Sequence, residues 1–331
     1  MNQFTQQAFI SLGVSSEHTQ LISEVYALAH WREQTHHDYS YLPQRFDWLW
    51  QGKVNPRPEI KHETKFGSIE TYSGDNCLGE LGCRFILEKA LSIAEHQGIA
   101  FTSIHHSNHY LAGAPYGMLA AKKGMIALIF SSTDKTMASA QSHQPIIGNN
   151  PFAFAAPLPE APFILDICMA YSSLGTLHKY VREGKVFDHP PGFNRNGEPT
   201  TSPQEILDHG ALAPMAQHKG FGLALMVELL TGGLNGGHMG LEIPEGGGIG
   251  GHSQSVLVLN TKALAKQNHL SDRFTAMMDQ FKEIDPQVRY PGSRRKEWTK
   301  DSWNEECYIT EKTREELTFW AKKLNIDSPF S

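Results

Sequence analysis

Three histidines lie within five residues in the segment 103–113, SIHHSNHYLAG. Imidazole rings this close together can bind a metal ion, transfer protons, or form hydrogen bonds at the end of a strand. A zinc site needs three or four ligands at fixed geometry, and the chain has neither an HExxH motif nor a Cys-x-x-Cys pair. The sequence therefore predicts no metal, while a metal-dependent hydrolase that uses His105, His106 and His109 stays an alternative.

Two glycine-rich runs could allow a phosphate to approach the backbone. The run 246–251, GGGIGG, contains the pattern G-x-G-x-x-G, but an apolar strand follows it. A dinucleotide fingerprint lies between a strand and the helix that it opens, so this run is not a Rossmann motif. Lys219-Gly220-Phe221-Gly222 starts a predicted helix, whose N-terminal N–H groups favour an anion. These glycines either admit a phosphate or relieve helix packing, and both interpretations stay open.

The composition is that of a globular protein with enough apolar material for a core: 331 residues, 40% hydrophobic and 19% charged. The net charge is −6 and the basic residues are scattered, which argues against nucleic acid or an anionic membrane as a partner. No apolar run approaches the roughly 20 residues of a membrane span. The start lacks a signal-peptide pattern, and four cysteines do not indicate a disulfide framework. We therefore expect a cytoplasmic protein, more often an enzyme than a scaffold.

Helices are predicted at both ends of the chain. Ser15-Ser16-Glu17 supplies an N-cap hydroxyl and a first-turn acid, and apolar residues follow at helical spacing. Residues 313–316, TREE, have the form of a capping box before a second apolar stripe. We expect the segments 1–70 and 265–331 to form one helical lobe.

The interior of the chain predicts a mixed α/β lobe over residues 71–264. Its strands are expected at 99–104, 125–130, 163–167 and 255–259, and its helices at 85–97, 115–124 and 219–230. Gly98 is expected to end the first of these helices. The segment at about 178–214 is rich in Gly, Pro, Asp and Asn and predicts a small irregular insertion.

Motifs spread along the whole chain resemble, in their order, the type-2 malate/L-lactate dehydrogenase family. The matching pieces are Ser107-Asn108-His109-Tyr110 with Gly113, Ile147 to Pro151, Leu165-Asp166 leading into Met169, His218 to Ala224, Glu228 to Leu230, and Pro291-Gly292. The Lys-Gly-aromatic-Gly helix start is the most specific of them. No single piece would suffice, but the ordered set is strong.

The resemblance implies an α/β fold of the α+β type. Its cofactor lobe is not a Rossmann domain but a mainly antiparallel sheet with helices, joined to a helical lobe formed by both termini. It also implies a homodimer. The implied reaction is hydride transfer between NAD or NADP and C2 of a 2-oxo acid or a cyclic 2-imino acid, which needs an acid at the reacting oxygen.

The resemblance also implies roles for three residues. His37 takes the place of the family's acid by position, since it precedes Pro43 as the family histidine precedes a proline. His109 matches a histidine near the substrate. Asp166, at the end of a buried strand, would orient His37 or another ring; alternatively its carboxylate is satisfied by backbone N–H groups.

The family's dinucleotide contacts match a further group of positions. They are Asn150, Pro151, Asp166, Ile167, Cys168, Met169, Ala170, Tyr171, Ser172, His218, Lys219, Gly292, Ser293 and Arg294. These residues do not distinguish NAD from NADP.

Three positions depart from the family pattern. The chain has His36 and Asp38 where the family has Ser and Gly, and Tyr41 where the family has an arginine that can hold a carboxylate. With Tyr41 in that place, Arg45 or Arg182 are the candidates to supply the missing charge at the substrate. If neither does, the substrate is not a simple 2-oxo monocarboxylate, or the chain is a non-catalytic member that binds a dinucleotide or metabolite.

Overall fold

The computed structural model describes residues 1–32, 37–244, 249–264, 269–293 and 309–330. The helices are α1 (Asn2–Ser11), α2 (Ser16–Trp31), α3 (Leu42–Trp50), α4 (Gly79–Gln97), α5 (Ala114–Lys122), α6 (Leu174–Glu183), α7 (Pro203–Leu207), α8 (His218–Glu228), α9 (Thr261–Leu264), α10 (His269–Ile284) and α11 (Glu311–Leu324). The strands are β1 (Lys61–Phe66), β2 (Ile69–Ser73), β3 (Ile99–Ser107), β4 (Met125–Ser131), β5 (Lys135–Met137), β6 (Ile147–Gly148), β7 (Phe152–Ala156), β8 (Phe163–Ile167), β9 (Gly192–Phe193), β10 (Pro199–Thr200), β11 (Ala211–Leu212) and β12 (His252–Asn260). A 3₁₀ turn covers Tyr39–Tyr41, and a π-helical turn, Leu229–Gly233, extends α8.

A seven-stranded sheet in the order β1-β2-β3-β12-β4-β7-β8 forms the centre of the protein. Its neighbours are antiparallel except for the β2–β3 pair, which is parallel. The predicted mixed α/β fold with a mainly antiparallel sheet is therefore confirmed. Strand β1 lies before residue 71 and β2 spans it, and the division of the chain into lobes at that point stays a prediction.

Helices α4 and α5 cover the sheet. Gly98, with φ 81°, ends α4 as predicted. The helix begins at Gly79, six residues earlier than expected, because its first turn lies against the backbone of the β3–α5 connection. A Cβ at Gly79 would lie 2.0 Å from the carbonyl oxygen of Asn108. This close approach, which only glycine permits, ties α4 to the loop that carries His109.

Helices from the two ends of the chain pack together. Ser15 caps α2, as predicted, by accepting a hydrogen bond from the backbone N–H of His18 at 3.2 Å. The predicted start of α11 at residue 313 is wrong by one turn, because Thr310 is the residue that caps it. The ring of Trp320 on α11 lies 5.7 Å from that of Phe46 on α3, and this aromatic contact joins the two ends.

The segment 178–214 holds more regular structure than predicted. Its strands β9, β10 and β11 join β5 and β6 in a second sheet, in the order β10-β9-β11-β5-β6. Each of the three has only two residues, which is too short for an alternating pattern to be visible in the sequence. In the part of the chain that the structure describes, no helix has the length and apolar character that crossing a membrane requires.

Candidate active site

A cavity of about 560 Å³ lies at the ends of strands β3, β4 and β8 and the start of β12. Helices α3 and α6 form its other walls. Its size lies within the range of small-molecule sites. Three parts of the chain supply most of its polar wall. These are the turn before α3 with α3 itself (His37, Tyr41, Gln44, Trp48), the ends of strands β3, β4 and β8 (His109, Thr133, Asp134, Asp166, Cys168), and the first turns of α6 with the start of β12 (Ser173, His178, His252).

The 3₁₀ turn before α3 presents His37 and Tyr41 to the cavity. Asp38 caps this turn by accepting a hydrogen bond from the N–H of Ser40 at 3.0 Å, and it also bonds His30 Nδ1 at 3.0 Å. Burial works against ionisation of Asp38, but the bonds from His30 and Ser40 outweigh it and lower the pKa of this carboxyl. The departure at Asp38 therefore has a structural role, since it caps the turn that follows His37 and carries Tyr41. His36 lies outside the described residues.

His37, Tyr41 and His109 form a group of stacked rings. The centroids of His37 and His109 are 5.3 Å apart, and those of Tyr41 and His109 are 5.6 Å apart. His37 precedes His109 by more than seventy residues, so the fold brings together two of the three predicted catalytic side chains. Whether they are catalytic stays a prediction.

Arg45 does not reach the cavity, so the suggestion that it holds a substrate carboxylate needs correction. Its side chain is fully buried and donates from Nε to Glu80 Oε1 at 2.8 Å. Tyr26 donates to the same carboxylate oxygen at 2.8 Å. The guanidinium also donates from Nη2 to the carbonyl oxygen of His109 at 2.9 Å. Arg45 thus acts on the cavity through the wall residues that it contacts, His109 and Gln44, and does not line it.

The hydrogen bonds of His109 fix its protonation state. Arg45 Nη2 lies 3.1 Å from His109 Nδ1, and the backbone N–H of Leu111 donates to the same nitrogen at 3.2 Å. Because a guanidinium and an amide N–H can only donate, Nδ1 must be the acceptor and the ring proton is on Nε2. Burial, the charge of Arg45 and the neighbouring His37 and His252 hold the pKa of His109 well below its usual value. His109 is therefore a neutral hydrogen-bond donor.

Arg182, the other candidate for the missing charge, is exposed on α6 and does not line the cavity. His178, four positions before Arg182 on the same helix, does line the cavity. Burial and the charges of Arg182 and Lys312 lower the pKa of His178. The structure therefore does not place the Arg182 guanidinium at the cavity wall, and this second suggestion also needs correction.

Asp166 lines the cavity at the end of β8. Its Oδ2 accepts a hydrogen bond from the backbone N–H of Ala114 at 2.8 Å. Helix α5 has no capping side chain of its own, so Asp166 caps its first turn and lies at the positive end of its dipole. This is the alternative in which backbone N–H groups satisfy the carboxylate. Orientation of a histidine by Asp166 stays a prediction.

The predicted dinucleotide contacts around β8 fall into two groups. Pro151, Asp166, Ile167 and Cys168 line the cavity. Asn150 does not: it is fully buried and donates to Glu228 Oε1 at 2.7 Å, which ties the β6–β7 turn to α8. Its neighbour Asn149 faces the cavity instead.

The segment after β8 runs beside the residues that precede α8. Tyr171 N–H donates to Ala213 at 2.8 Å, and Met215 N–H donates to Met169 at 2.8 Å. This pairing brings the predicted contacts Met169, Ala170, Tyr171 and Ser172 close to His218 and Lys219, both of which are exposed at the start of α8.

The two glycines at the start of α8, which either admit a phosphate or relieve helix packing, differ in their surroundings. A Cβ at Gly220 would lie 2.3 Å from the carbonyl oxygen of Met215, so this glycine serves helix packing. Gly222 is exposed, and no other atom of the chain lies within 4 Å of where its Cβ would be. The packing explanation therefore holds for Gly220 and not for Gly222.

The remaining predicted contacts lie elsewhere. Gly292 and Ser293 follow Pro291, whose carbonyl oxygen accepts from Ile164 N–H at the start of β8, and Gly292 lines a different, smaller depression beside α2 and α5. Arg294 lies outside the described residues.

Sequence reasoning missed two residues that face each other in the cavity wall. Asp134 Oδ1 accepts from His252 Nε2 at 2.9 Å, and His252 is 1% exposed. They lie 118 positions apart, after β4 and at the start of β12, and neither belongs to a recognisable motif. The one available signal was the position of His252 directly after the glycine-rich run, at the start of a strand.

The strand histidines His105 and His106 form a separate group. Strand β3 continues through them to Ser107, past the expected end at Ile104, because a bulge opposite His252–Gln254 accommodates the extra residue. His105 bonds His106 through the two Nδ1 atoms at 2.7 Å and Glu63 through Nε2 at 2.8 Å. Among the described residues no group of three or more His, Cys, Asp or Glu side chains could hold a metal ion, which leaves the hydrolase alternative without support.

Comparison with known proteins is consistent with this architecture. The sequence profile of the malate/L-lactate dehydrogenase family matches residues 1–318. Malate dehydrogenase of Pyrococcus horikoshii is 32% identical over 241 residues, which are 71% of this chain and 67% of that protein. A Δ1-pyrroline-2-carboxylate/Δ1-piperideine-2-carboxylate reductase of Pseudomonas putida is 32% identical over 213 residues, 63% of this chain and 62% of that protein.

The fold is also that of solved structures. The crystal structure of malate dehydrogenase from Entamoeba histolytica superposes with a TM-score of 0.91 over 99% of this chain and 97% of that chain, at 21% identity. At this identity the likeness concerns the fold alone. Taken with the profile match across almost the whole length, these relatives show that the chain is an oxidoreductase of the malate/L-lactate dehydrogenase family.

Proposed function

We propose that the protein reduces a carbonyl or imine carbon of a small polar substrate with NADH or NADPH, and that His37 is the proton donor. In the family pattern this carbon is C2 of a 2-oxo acid or a cyclic 2-imino acid. The overall change adds a hydride at carbon and a proton at oxygen or nitrogen, while NAD(P)H becomes NAD(P)⁺.

The observation that carries this proposal is the fixed neutral state of His109. Four described histidines line the cavity. His109 accepts two hydrogen bonds at Nδ1, the pKa of His178 is lowered chiefly by burial, and His252 is bonded to Asp134. His37 is the fourth, at the position that the family pattern gives to the acid, and it stacks on His109. An imidazole can exchange a proton near neutral pH, which is what general-acid catalysis at the reacting oxygen requires.

The other rings would stabilise the charge that develops on that oxygen. His109 offers a single donor, Nε2–H, since its Nδ1 is occupied. Burial raises the pKa of Tyr41, against the lowering effect of Arg45, so its hydroxyl stays protonated and can also donate. Donors that are fixed before the reaction stabilise an oxyanion without reorganisation at the moment of reaction. Arg45 and Glu80 would be positioning residues for His109.

The lining of the cavity fits a nicotinamide. Apolar surfaces of Leu111, Ile167 and Leu174 suit a planar ring, and Asn149 suits its carboxamide. A bound reduced nicotinamide would supply the hydride. His218 and Lys219 at the exposed start of α8 would hold a phosphate, supported by the open space over Gly222.

We also propose a homodimer in the cytoplasm. Leu225, Leu229 and Leu234, on α8 and its π-helical extension, are 44%, 61% and 60% exposed. An apolar row of this kind, rimmed by polar residues, is typical of a protein interface. Light scattering of the purified protein tests it, and a monomer at micromolar concentration would contradict the proposed dimer.

The decisive experiment on the reaction compares His37→Ala with His106→Ala. Oxidation of NADH and NADPH is followed across 2-oxo acids, cyclic 2-imino acids and hydroxyketones, and cofactor binding is measured by nicotinamide fluorescence. Loss of a general acid predicts a fall in kcat of about 10² to 10⁴ for His37→Ala, with cofactor binding retained. His106→Ala should keep full activity. Full activity of His37→Ala would refute the proposed role, and cofactor binding without turnover in the wild type would favour a non-catalytic family member.

A further inference from the structure

The charges of the cavity wall are unexpected for a carboxylate substrate. Among the described side chains that line the cavity, none is arginine or lysine, whereas Asp134 and Asp166 are both present. Proteins hold a substrate carboxylate with cationic side chains, above all arginine. Arg45, which contacts the wall residue His109, is fully buried and bonded to Glu80. A carboxylate in this cavity would therefore face two like charges.

Asp134 is held at the wall rather than free to turn away. Its side chain is 38% exposed, while its partner His252 is almost fully buried. The bond from His252 Nε2 to Asp134 Oδ1 uses one of about four acceptor sites of the carboxylate. The remaining sites can accept only from a ligand group that donates, such as a hydroxyl.

Neutral hydrogen-bonding groups line the same cavity as Asp134. Gln44 Oε1 accepts from Arg45 Nη1 at 2.9 Å, which leaves the amide NH₂ of Gln44 to donate. Donors and acceptors without net charge match hydroxyl groups, since each hydroxyl both donates and accepts. The rings of Tyr41 and Trp48 supply apolar faces for the carbon skeleton.

We propose that Asp134, positioned by His252, is a specificity determinant that selects an uncharged, polyhydroxylated ketone over a 2-oxo carboxylate. A hydroxyl beside the reacting carbonyl donates to Asp134, and a carboxylate in its place is repelled. This inference rests on the proposed reductase function and names the substrate class of the same cavity. His252 is a positioning residue in this account.

The test uses three ketones that share the CH₃–CO– group and differ at the third carbon: hydroxyacetone, pyruvate and aminoacetone. L-Erythrulose extends the hydroxylated series. We expect kcat/KM for hydroxyacetone to exceed that for pyruvate at least tenfold. Asp134→Asn should reduce this ratio at least tenfold, mainly through KM, by removing the repulsion of pyruvate. Asp188→Asn, which changes an exposed acid, is the matched control and should leave the ratio unchanged.

The role of His252 is tested by rescue. His252→Gln keeps an N–H donor for Asp134 and should keep the preference, whereas His252→Phe should lose it. A purely structural role would make both variants equally impaired in kcat without changing the ratio of the two substrates.

Three outcomes would overturn the inference: equal or better turnover of pyruvate by the wild type, an unchanged ratio in Asp134→Asn, or a preference for aminoacetone, which would indicate selection of a cation. Thermal shifts of His37→Ala with each ketone, without cofactor, separate this inference from the proposed reaction. If L-erythrulose stabilises that variant more than pyruvate does while the wild type reduces no ketone, the selection stands and the reductase function fails. If the wild type reduces pyruvate and the hydroxylated ketones equally well, the reductase function stands and the selection by Asp134 fails.

Discussion

The strand histidines and the cavity histidines are close in sequence and very different in state. His105 and His106 bond each other and Glu63 at the edge of β3, where Glu63 is 39% exposed in its side chain. Three residues later, His109 is enclosed, stacked on His37, and held by Arg45 and the Leu111 N–H. The same side chain thus bonds an accessible carboxylate in one place and is a fixed neutral donor in the other.

This difference shows that the protonation state of an imidazole depends on its hydrogen-bond partners and not on how many histidines lie near it in the sequence. His105 is itself buried, but the side chain of its carboxylate partner Glu63 is 39% exposed, so water competes for this contact. A buried guanidinium that can only donate forces one tautomer on His109 and disfavours its protonation. Changing these partners should therefore have very different effects in the two regions.

The largest expected effect comes from removing the partner of His109. Arg45→Met leaves Glu80 buried without its counter-charge, and we expect the free energy of unfolding to fall by about 3–5 kcal/mol in urea titrations. The double variant Arg45→Met/Glu80→Gln should recover part of this loss, because the glutamine is neutral and still accepts from Tyr26. Arg314→Met, in an exposed ion pair, is the control and should lose less than about 1 kcal/mol. A similar loss in both single variants would contradict the importance of the buried pair.

A smaller effect is expected from pH. Because the pKa of His109 is held below its value in the unfolded chain, the unfolded state binds a proton that the folded state does not. Below about pH 6.5 the free energy of unfolding should therefore fall, by up to about 1.4 kcal/mol per pH unit from this group, and above it the contribution is constant. Urea titrations between pH 5 and 7 measure the slope. It should be shallower in His109→Asn, whereas the exposed control His62→Asn should retain it; equal slopes in all three proteins would remove the assignment.

The smallest effect is expected in the strand pair. His105→Gln keeps a donor for Glu63, so we expect a change in unfolding free energy of about 1 kcal/mol or less and an unchanged kcat/KM. Thermal unfolding and the standard turnover assay measure both. A loss of activity comparable with that of His37→Ala would show that the two regions are coupled and that the comparison fails.

Local features of the fold were predictable because their causes are local. Strand β8 was predicted with its observed bounds, and Gly98 ends α4 as expected. The start of α4 was not predictable, because it depends on the contact of Gly79 with the Asn108 backbone. The cap of α11 was misplaced by a turn because Thr310 and Thr313 both begin plausible capping sequences, and only the helix itself selects between them.

The candidate site was predictable only in part for the same reason. The family pattern indicated His37, His109 and Asp166, all of which line one cavity. It did not indicate that Arg45 would bond Glu80, 35 positions away, instead of reaching the substrate. Nor did any motif indicate the Asp134–His252 bond. Hydrogen bonds between distant segments leave no periodicity or spacing in a sequence.

The sequence by itself indicated the helices at both ends, the main central strands and the membership of the family, since apolar periodicity, caps and motifs are local features of the chain. The tertiary structure alone decided which charges reach the cavity. It enclosed Arg45 behind His109 and exposed Asp134 in front of His252. The reason is that the cost of burying a charge depends on which partner the fold brings to it, and that partner is set by three-dimensional packing rather than by neighbours in the sequence.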